Sequence, residues 1–291
     1  MKRREFLQCL GGLTATTLLA QNGWSQETPI VAAGKTSSDR VLIGPKKIEL
    51  SRLAMGTGTV GWKGSSNQTR KLGTDGLPGL LKEGFDRGIT FWDSADQYGS
   101  HPHLGLALDR VQREKVTIMT KSRAHTADEM RADIERFRKE IKTGTIDILL
   151  LHCLTDGEWN KKMRPVMDVV DEYQAKGIIR SKGVSCHSLE ALKTAAAEPW
   201  VEIDLARINP GGYEMDAKPE IIIPILQDMK KQGKGVIGMK VFGAGKMRDR
   251  QDEALAYILK QDCIDCFTVG MENMDELKDT VARIERLGKI A

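Results

Sequence analysis

Four side chains in this sequence stand where strand-like runs end, and their types suit proton handling. Asp93 closes the apolar run "ITFWD" (89–93), Lys121 closes "VTIMTK" (116–121) and His152 closes "IDILLLH" (146–152). Tyr98 lies just beyond the first of these, in "DSADQYGSHPHLG" (93–105). A reaction that leaves an oxyanion on its substrate needs a group that can hand that oxygen a proton and take it back. A phenol has an ordinary pKa near 10, too high for easy exchange at neutral pH, and a neighbouring ammonium favours its phenolate. Lys121 is the candidate ammonium, Asp93 the carboxylate that keeps it charged and aimed, and Tyr98 the general acid/base. His152 can hydrogen-bond the substrate oxygen and help relay the proton. Singly, Asp93 reads as a helix cap, His152 as a core histidine and Lys121 as surface charge. Their joint placement at three successive strand ends argues for chemistry.

Positioning such groups requires a scaffold that brings strand ends together. From Ser51 onward short apolar runs alternate with longer amphipathic ones. Besides those named, the strand-like runs are "RLAMGT" (52–57), "IRSKGVS" (179–185), "IDLARIN" (203–209), "GVIGMK" (235–240) and "IDCFTVG" (264–270). Between them, segments such as "MRADIERFRKEI" and "MDELKDTVARIERL" carry apolar residues at helical spacing. Eight strand-then-helix units predict a parallel sheet closed as a (β/α)8 TIM barrel, whose chemistry sits at the carboxyl ends of the strands. An open doubly wound sheet is the competitor, but "GTGTVGWKG" (56–64) lacks the G-x-G-x-x-G spacing. "RVLIGPKKIEL" (40–50) predicts an N-terminal β-hairpin turning at Gly44-Pro45.

The run "DSADQYG" with "TK" and "LLLH" resembles the aldo-keto reductases, which use an Asp-Tyr-Lys-His tetrad. The resemblance extends from about Arg40 to the C-terminus and implies an NAD(P)-dependent oxidoreductase interconverting a carbonyl, aldehyde or ketone, and an alcohol. It implies an extended dinucleotide along the barrel top. Gly56 and Thr57 would meet the nicotinamide end, and Ser185 would clamp the carboxamide, with Cys186 standing where the family usually has asparagine. Arg207 or Asn209 would replace a customary glutamine. Met239 falls where many members stack an aromatic ring on the nicotinamide. Lys240, Phe242 and Gly243 would face the pyrophosphate, and Gly270, Glu272 and Asn273 the adenosine. A carboxylate can accept a hydrogen bond from a ribose 2′-hydroxyl but repels a 2′-phosphate, so Glu272 favours NAD over NADP. His101 stands where the family usually has glutamate, a change expected to touch packing or capping rather than chemistry.

With the sequence closing at Ala291 after the last helical segment, the substrate pocket is expected to be shallow, shaped by loops 62–76 and 153–163. Trp62 and Trp159 are its candidate substrate-facing residues, and a sugar-like carbonyl compound would suit such polar loops. Two rival readings remain. One is a nucleotide-holding subunit or redox sensor without turnover. The other is a metal-dependent sugar isomerase or hydrolase using His152, Cys153, Cys186 and His187, although neighbouring residues of a strand point oppositely. No metal site is expected.

The ends and composition bound the setting. "KRREFLQ" (2–8) followed by "CLGGLTATTLLA" (9–20) reads as a twin-arginine export signal over residues 1–26, cleaved after Ala20 or within "WSQ" (24–26). Its apolar stretch is shorter than the ~20 residues a membrane span needs, so no stable insertion is expected once it is removed. Residues 27–39 would then be a linker and 40–291 the barrel. Lys2, Arg3, Arg4 and Glu5 lower the formal charge from +4 to +2 on leaving, which is no nucleic-acid footprint. The expected partner is the twin-arginine machinery, and the expected location is the periplasm or another exported compartment. Because that route carries folded proteins, the cofactor is expected to load before export and be retained tightly. Of five cysteines, four remain, and the lone C-x-x-C of Cys263 and Cys266 reads as core thiols rather than a metal site.

Overall fold

The computed structural model describes residues 34–290; the export-signal expectation, on residues 1–26, lies outside this range. Strands β1 (Arg40–Ile43) and β2 (Ile48–Ser51) form an antiparallel hairpin with Ile43 opposite Ile48. Gly44 takes φ +65° at the turn, a left-handed conformation open to glycine at little cost. Eight parallel strands follow: β3 (Leu53–Gly56), β4 (Phe91–Asp93), β5 (Thr117–Ser122), β6 (Ile146–Leu154), β7 (Ile179–Cys186), β8 (Ile203–Arg207), β9 (Gly235–Met239) and β10 (Cys266–Gly270). They pair in chain order, and β10 closes on β3 with Gly270 beside Gly56. The expected (β/α)8 barrel with its hairpin is therefore present.

Helices α1 (Asn67–Asp86), α2 (His101–Leu108), α3 (Ala127–Ile141), α4 (Trp159–Lys162), α5 (Arg164–Ala175), α6 (Leu189–Ala197), α7 (Pro219–Lys231), α8 (Gln251–Leu259) and α9 (Met274–Leu287) lie on the connections. Their starts are set locally. Thr126 and Glu129 form a reciprocal capping box on α3, and Met130, Ile134, Phe137 and Ile141 form the stripe that α3 buries. Asn273 caps α9 by accepting the Glu276 N–H at 2.8 Å. No described helix is long and apolar enough to cross a membrane.

Strand periodicity of two divides the barrel into two cores. Ala54, Phe91, Met119, Ile148, Leu150, Ile203, Leu205 and Ile237 fill the interior, and Ile43, Ile48 and Leu50 of the hairpin plug its amino-terminal end. Trp92, Ile118, Leu149, Leu151, Val184 and Val236 face outward, against the helices. The inward parity, continued two residues beyond the interior core, reaches Asp93, Lys121 and His152.

Residues 34–39, expected to belong to a linker, are docked instead. The Lys35 N–H donates to the Gly288 carbonyl at 3.0 Å, the Ser37 hydroxyl to Glu285 at 2.8 Å, and the Leu53 N–H to the Ser37 carbonyl at 3.0 Å. Small polar residues look like a tether in sequence, but here their hydrogen bonds end on the last helix and the first barrel strand.

Candidate active site

Asp93 ends β4, and its carboxylate is fully engaged. One oxygen accepts from Lys121 Nζ and the other from the Thr268 hydroxyl at 2.8 Å. Lys121 is 1% exposed and gives a second hydrogen bond, at 2.7 Å, to the Ser94 carbonyl. A buried ammonium held this way is fixed in position. Its nitrogen lies 4.9 Å from the centre of the Tyr98 ring, and the ring of His152 stands edge-on to that of Tyr98 with centroids 5.9 Å apart. The four residues singled out for proton handling thus meet at the carboxyl ends of β4, β5 and β6.

The electrostatics of this group favour a neutral phenol. Burial pushes the Tyr98 phenol up, and the nearby Lys121 charge draws it back only in part. The expectation that Lys121 would bring it below its ordinary value does not hold in the free protein, because removal from water outweighs one ammonium. Burial alone would lower the Lys121 ammonium, but Asp93 and then Tyr98 more than offset it, and it ends above the usual lysine range. Burial, reinforced by Lys121, holds His152 well below the usual imidazole range. Its Nδ1 is buried without a partner among the described residues. The resting site therefore holds a protonated lysine, a protonated phenol and a neutral imidazole.

A chain of buried hydroxyls braces the group. The Thr57 hydroxyl donates to the Asp93 carbonyl at 2.8 Å and lies 2.8 Å from that of Ser100, which lies 2.7 Å from that of Ser94. With the Thr57 proton committed to Asp93, Ser100 donates to Thr57 and Ser94 to Ser100. His101, just beyond, bonds Glu140 of α3 at 3.0 Å and the Thr120 hydroxyl of β5 at 2.6 Å. It ties α2 to the strand that carries Lys121, a packing role.

Glycines that sequence reasoning passed over as a failed phosphate loop prove to hold Tyr98. A Cβ at Gly58 or at Gly61 would overlap the Tyr98 ring, on opposite edges. A Gly58→Ala variant is expected to fold but to displace the phenol, cutting kcat by about 10²-fold, the scale of a 1 Å misplacement. Near-unchanged thermal stability alongside that loss would separate displacement from unfolding.

From Asp93 and Tyr98 a cleft of about 560 Å³ runs past the ends of β9 and β10 to α9. Gly56, Met239, Lys240, Phe242, Gly270 and Glu272, all expected at a dinucleotide, line it. So do Asn67, Lys71, Arg248 and Thr268, which sequence reasoning missed. Lys71 and Asn67 carried no strand-end signal; they enter because α1 begins against the loop that follows β10. Both grip Glu272: Lys71 through an ion pair and Asn67 by a hydrogen bond of 2.7 Å. Burial alone would raise the Glu272 carboxyl, but Lys71 and Asn67 hold it below its ordinary value.

The other expected residues do not line the cleft. Gly243 is buried against Tyr213, and Asn273 caps α9. Asn209 is fully buried and saturated: its amide donates to the Tyr213 and Lys240 carbonyls at 2.7 and 3.1 Å and accepts from the Tyr213 N–H at 3.0 Å. It shapes the loop under Lys240 and has no free group for a ligand. Cys186 is buried, and burial pushes its thiol well up. The Ser185 hydroxyl is buried without a partner among the described residues. Trp62 is 54% exposed with the Arg123 guanidinium over its ring at 5.5 Å. Trp159 is not substrate-facing: it is 1% exposed and donates to the Ala191 carbonyl of α6 at 3.2 Å. Its position in a polar loop concealed that α4 turns the indole into the helix layer. Cys153 Sγ approaches His187 Nε2 at 3.6 Å, and among the described residues no three His, Cys, Asp or Glu side chains gather as a metal-holding group.

A closed parallel barrel that gathers an ion-paired lysine, a phenol and a neutral imidazole at one rim, beside a long cleft, has the layout of a barrel oxidoreductase. The chain belongs to the aldo/keto reductase family, whose model matches residues 52–254. Among curated proteins, "Probable aldo-keto reductase 1" of Glycine max is 27% identical over 218 residues, covering 70% of this chain and 60% of that protein. The D-threo-aldose 1-dehydrogenase of a Pseudomonas species is 22% identical over 231 residues, covering 68% of each. The chain thus spans 60% and 68% of the length of these two relatives. Among solved structures, the holo form of an aldo-keto reductase from Bacillus halodurans aligns with TM-score 0.68 at 18% identity, covering 87% of this chain and 97% of that one. An aldo-keto reductase from Klebsiella pneumoniae in complex with NADPH aligns with TM-score 0.67 at 16% identity, covering 85% and 90%. At these identities the structural likeness speaks for the fold.

Proposed function

We propose that this protein interconverts a carbonyl compound and an alcohol using a nicotinamide dinucleotide, with Tyr98 as the proton donor and acceptor. The observation that carries the reading is the meeting of Tyr98 with the buried Asp93–Lys121 pair and neutral His152 at the mouth of the cleft. The residues fit the cofactor on three counts. The cleft has the volume of a ligand site. The buried Ser185 hydroxyl lacks a partner among the described residues, which an amide of the ligand would supply. Gly56 lines the cleft with backbone alone, where a side chain would strike Thr268 and the Val269 carbonyl.

When bound, the nicotinamide supplies or takes the hydride. The chain's own groups handle the oxygen. His152, neutral, hydrogen-bonds the substrate carbonyl and orients it. Tyr98 gives its proton to the oxygen as negative charge develops there. Lys121, anchored by Asp93 and the Ser94 carbonyl, stabilises the phenolate left behind. Alcohol oxidation runs the same proton in reverse, so it needs the phenolate and should rise with pH where reduction falls.

Glu272 is proposed to select NAD. It lies in the cleft with its charge held by Lys71, so a 2′-phosphate would meet a carboxylate and an occupied cation, with Arg248 the one nearby guanidinium that lacks an acid partner among the described residues. A Glu272→Gln variant frees Lys71, and the ratio of NADPH to NADH affinity is expected to rise about tenfold, read by fluorescence titration. A tenfold change is the weight of ~1.4 kcal/mol, within reach of one charge contact. An unchanged ratio would remove Glu272 from nucleotide choice.

The export reading is likewise a proposal: the chain leaves the cytoplasm by the twin-arginine route with its nucleotide loaded. Mass spectrometry of material extracted from natively exported protein tests both points. Nucleotide near one per chain supports loading before translocation. Protein that binds neither NAD nor NADP in solution sinks the reductase reading, and binding without turnover of any carbonyl would point to the nucleotide-holding role.

A further inference from the structure

Resting on that reading, we infer that the substrate is an anionic carbonyl compound whose carboxylate is held by Arg123 beside Trp62. Arg123 follows the end of β5, two residues after Lys121, over the ring of Trp62 and near enough to His152 for its charge to be felt there. It is half-buried, and its guanidinium lies over the Trp62 ring at 5.5 Å. No carboxylate among the described residues pairs with it.

That isolation sets Arg123 apart in a chain rich in ion pairs. Lys121 is matched by Asp93 and Arg207 by Asp216, so neither is available to a ligand. A half-buried guanidinium without an acid loses hydration with little return, and stacking on an indole offsets only part of that loss. A ligand carboxylate would complete the arrangement through the paired N–H groups of the fork. The exposed indole beneath offers a flat apolar surface for the body of the same ligand.

The charge also reaches the reacting groups. After burial and Lys121, Arg123 is among the cations that hold His152 low. His187, carried down to about 4 by burial, by Arg207 and Lys240 and by Arg123, adds no positive charge of its own at neutral pH. Arg123 is therefore a half-buried cation near His152 and His187 that has no acid partner among the described residues. Lys240, also without an acid partner among the described residues, lines the cleft proposed for the cofactor. The reaction itself is unchanged: aldehyde, hydride and one proton give the alcohol. What Arg123 adds is selection and orientation, placing the carbonyl between Tyr98 and His152.

The test compares 4-carboxybenzaldehyde with its methyl ester, which differ by one charge far from the reacting carbon. The natural chain should turn over the acid with kcat/KM at least tenfold above the ester at low ionic strength. Arg123→Met should erase that preference, lowering kcat/KM for the acid tenfold or more, chiefly through KM, while leaving the ester within about twofold. Arg123→Lys should restore part of it. Equal use of acid and ester by the natural chain, or an equal fall for both in Arg123→Met, overturns the inference. Calorimetric binding of the two compounds to the nucleotide-loaded protein gives a readout without turnover. If no carbonyl is reduced, the proposed function fails. Acid binding lost in Arg123→Met would still support the anion site, and binding insensitive to Arg123 would overturn it.

Discussion

Tyr98→Phe is expected to lower kcat for carbonyl reduction by about 10²–10⁴-fold, the range of general acid–base catalysis, with nucleotide affinity unchanged. The substitution is a clean probe because phenylalanine keeps the ring that Gly58 and Gly61 enclose and removes only the hydroxyl. The loss should fall on kcat rather than KM, since the proton is needed in the transition state and not for binding. Lys121 is a poorer probe. Its removal would leave Asp93 buried without its cation, at a cost of about 3–5 kcal/mol in stability, so activity and folding would fall together. The pH profile supplies a second check. Burial holds the phenol above its ordinary value, so reduction should stay level through neutral pH and decline only on the alkaline side. A Tyr98→Phe variant that kept its rate would remove Tyr98 from the chemistry.

The second large effect concerns stability and lies outside the site. Asp204 of β8 has outward parity, and both its carboxylate oxygens are buried with no partner among the described residues. Burial, reinforced by Asp216 and little relieved by Lys234, pushes its carboxyl up to about 8 from 3.8. Between those values the folded protein holds a proton that the unfolded chain has released, so stability falls as pH rises. The stabilising proton is fully in place below about pH 4 and is lost as pH passes 8. At 1.36 kcal/mol per unit, the swing is on the order of 5 kcal/mol. Asp204→Asn keeps the shape and removes the titration. Urea unfolding at pH 5 and pH 8 should show a larger loss in the natural chain than in the variant. The sign is specific: His187, held low, works the other way and gains stability as pH rises through 6.5. Equal pH dependence in the two proteins would show that Asp204 finds a partner in solution.

Both predictions begin from residues that differ in how visible they are in the sequence. Asp93, Lys121 and His152 could be identified because each closes an apolar run, and a barrel turns run ends into a common rim. Tyr98 came with them by proximity in sequence. Thr268, which holds the second oxygen of Asp93, gave no signal. It is an ordinary threonine in the last strand, and it matters only because β10 closes beside β3. Gly58 and Gly61 were visible as glycines but misread, since what they accommodate is a ring forty residues away. Trp159 was misplaced for the same reason: a loop tryptophan has no periodicity to say which way it turns.

What the sequence determined by itself was the alternation of strand and helix, the count of eight, and the parity that sends alternate residues inward. These follow from local stereochemistry and burial, which repeat every two or 3.6 residues and so can be read along the chain. The tertiary structure alone decided that the Tyr98 phenol stays protonated, that Asn209 is saturated, that Asp204 is orphaned and that Arg123 stands without an acid. Each of these depends on which groups from distant segments share a small dry volume, where desolvation and single partners outweigh anything neighbouring residues impose.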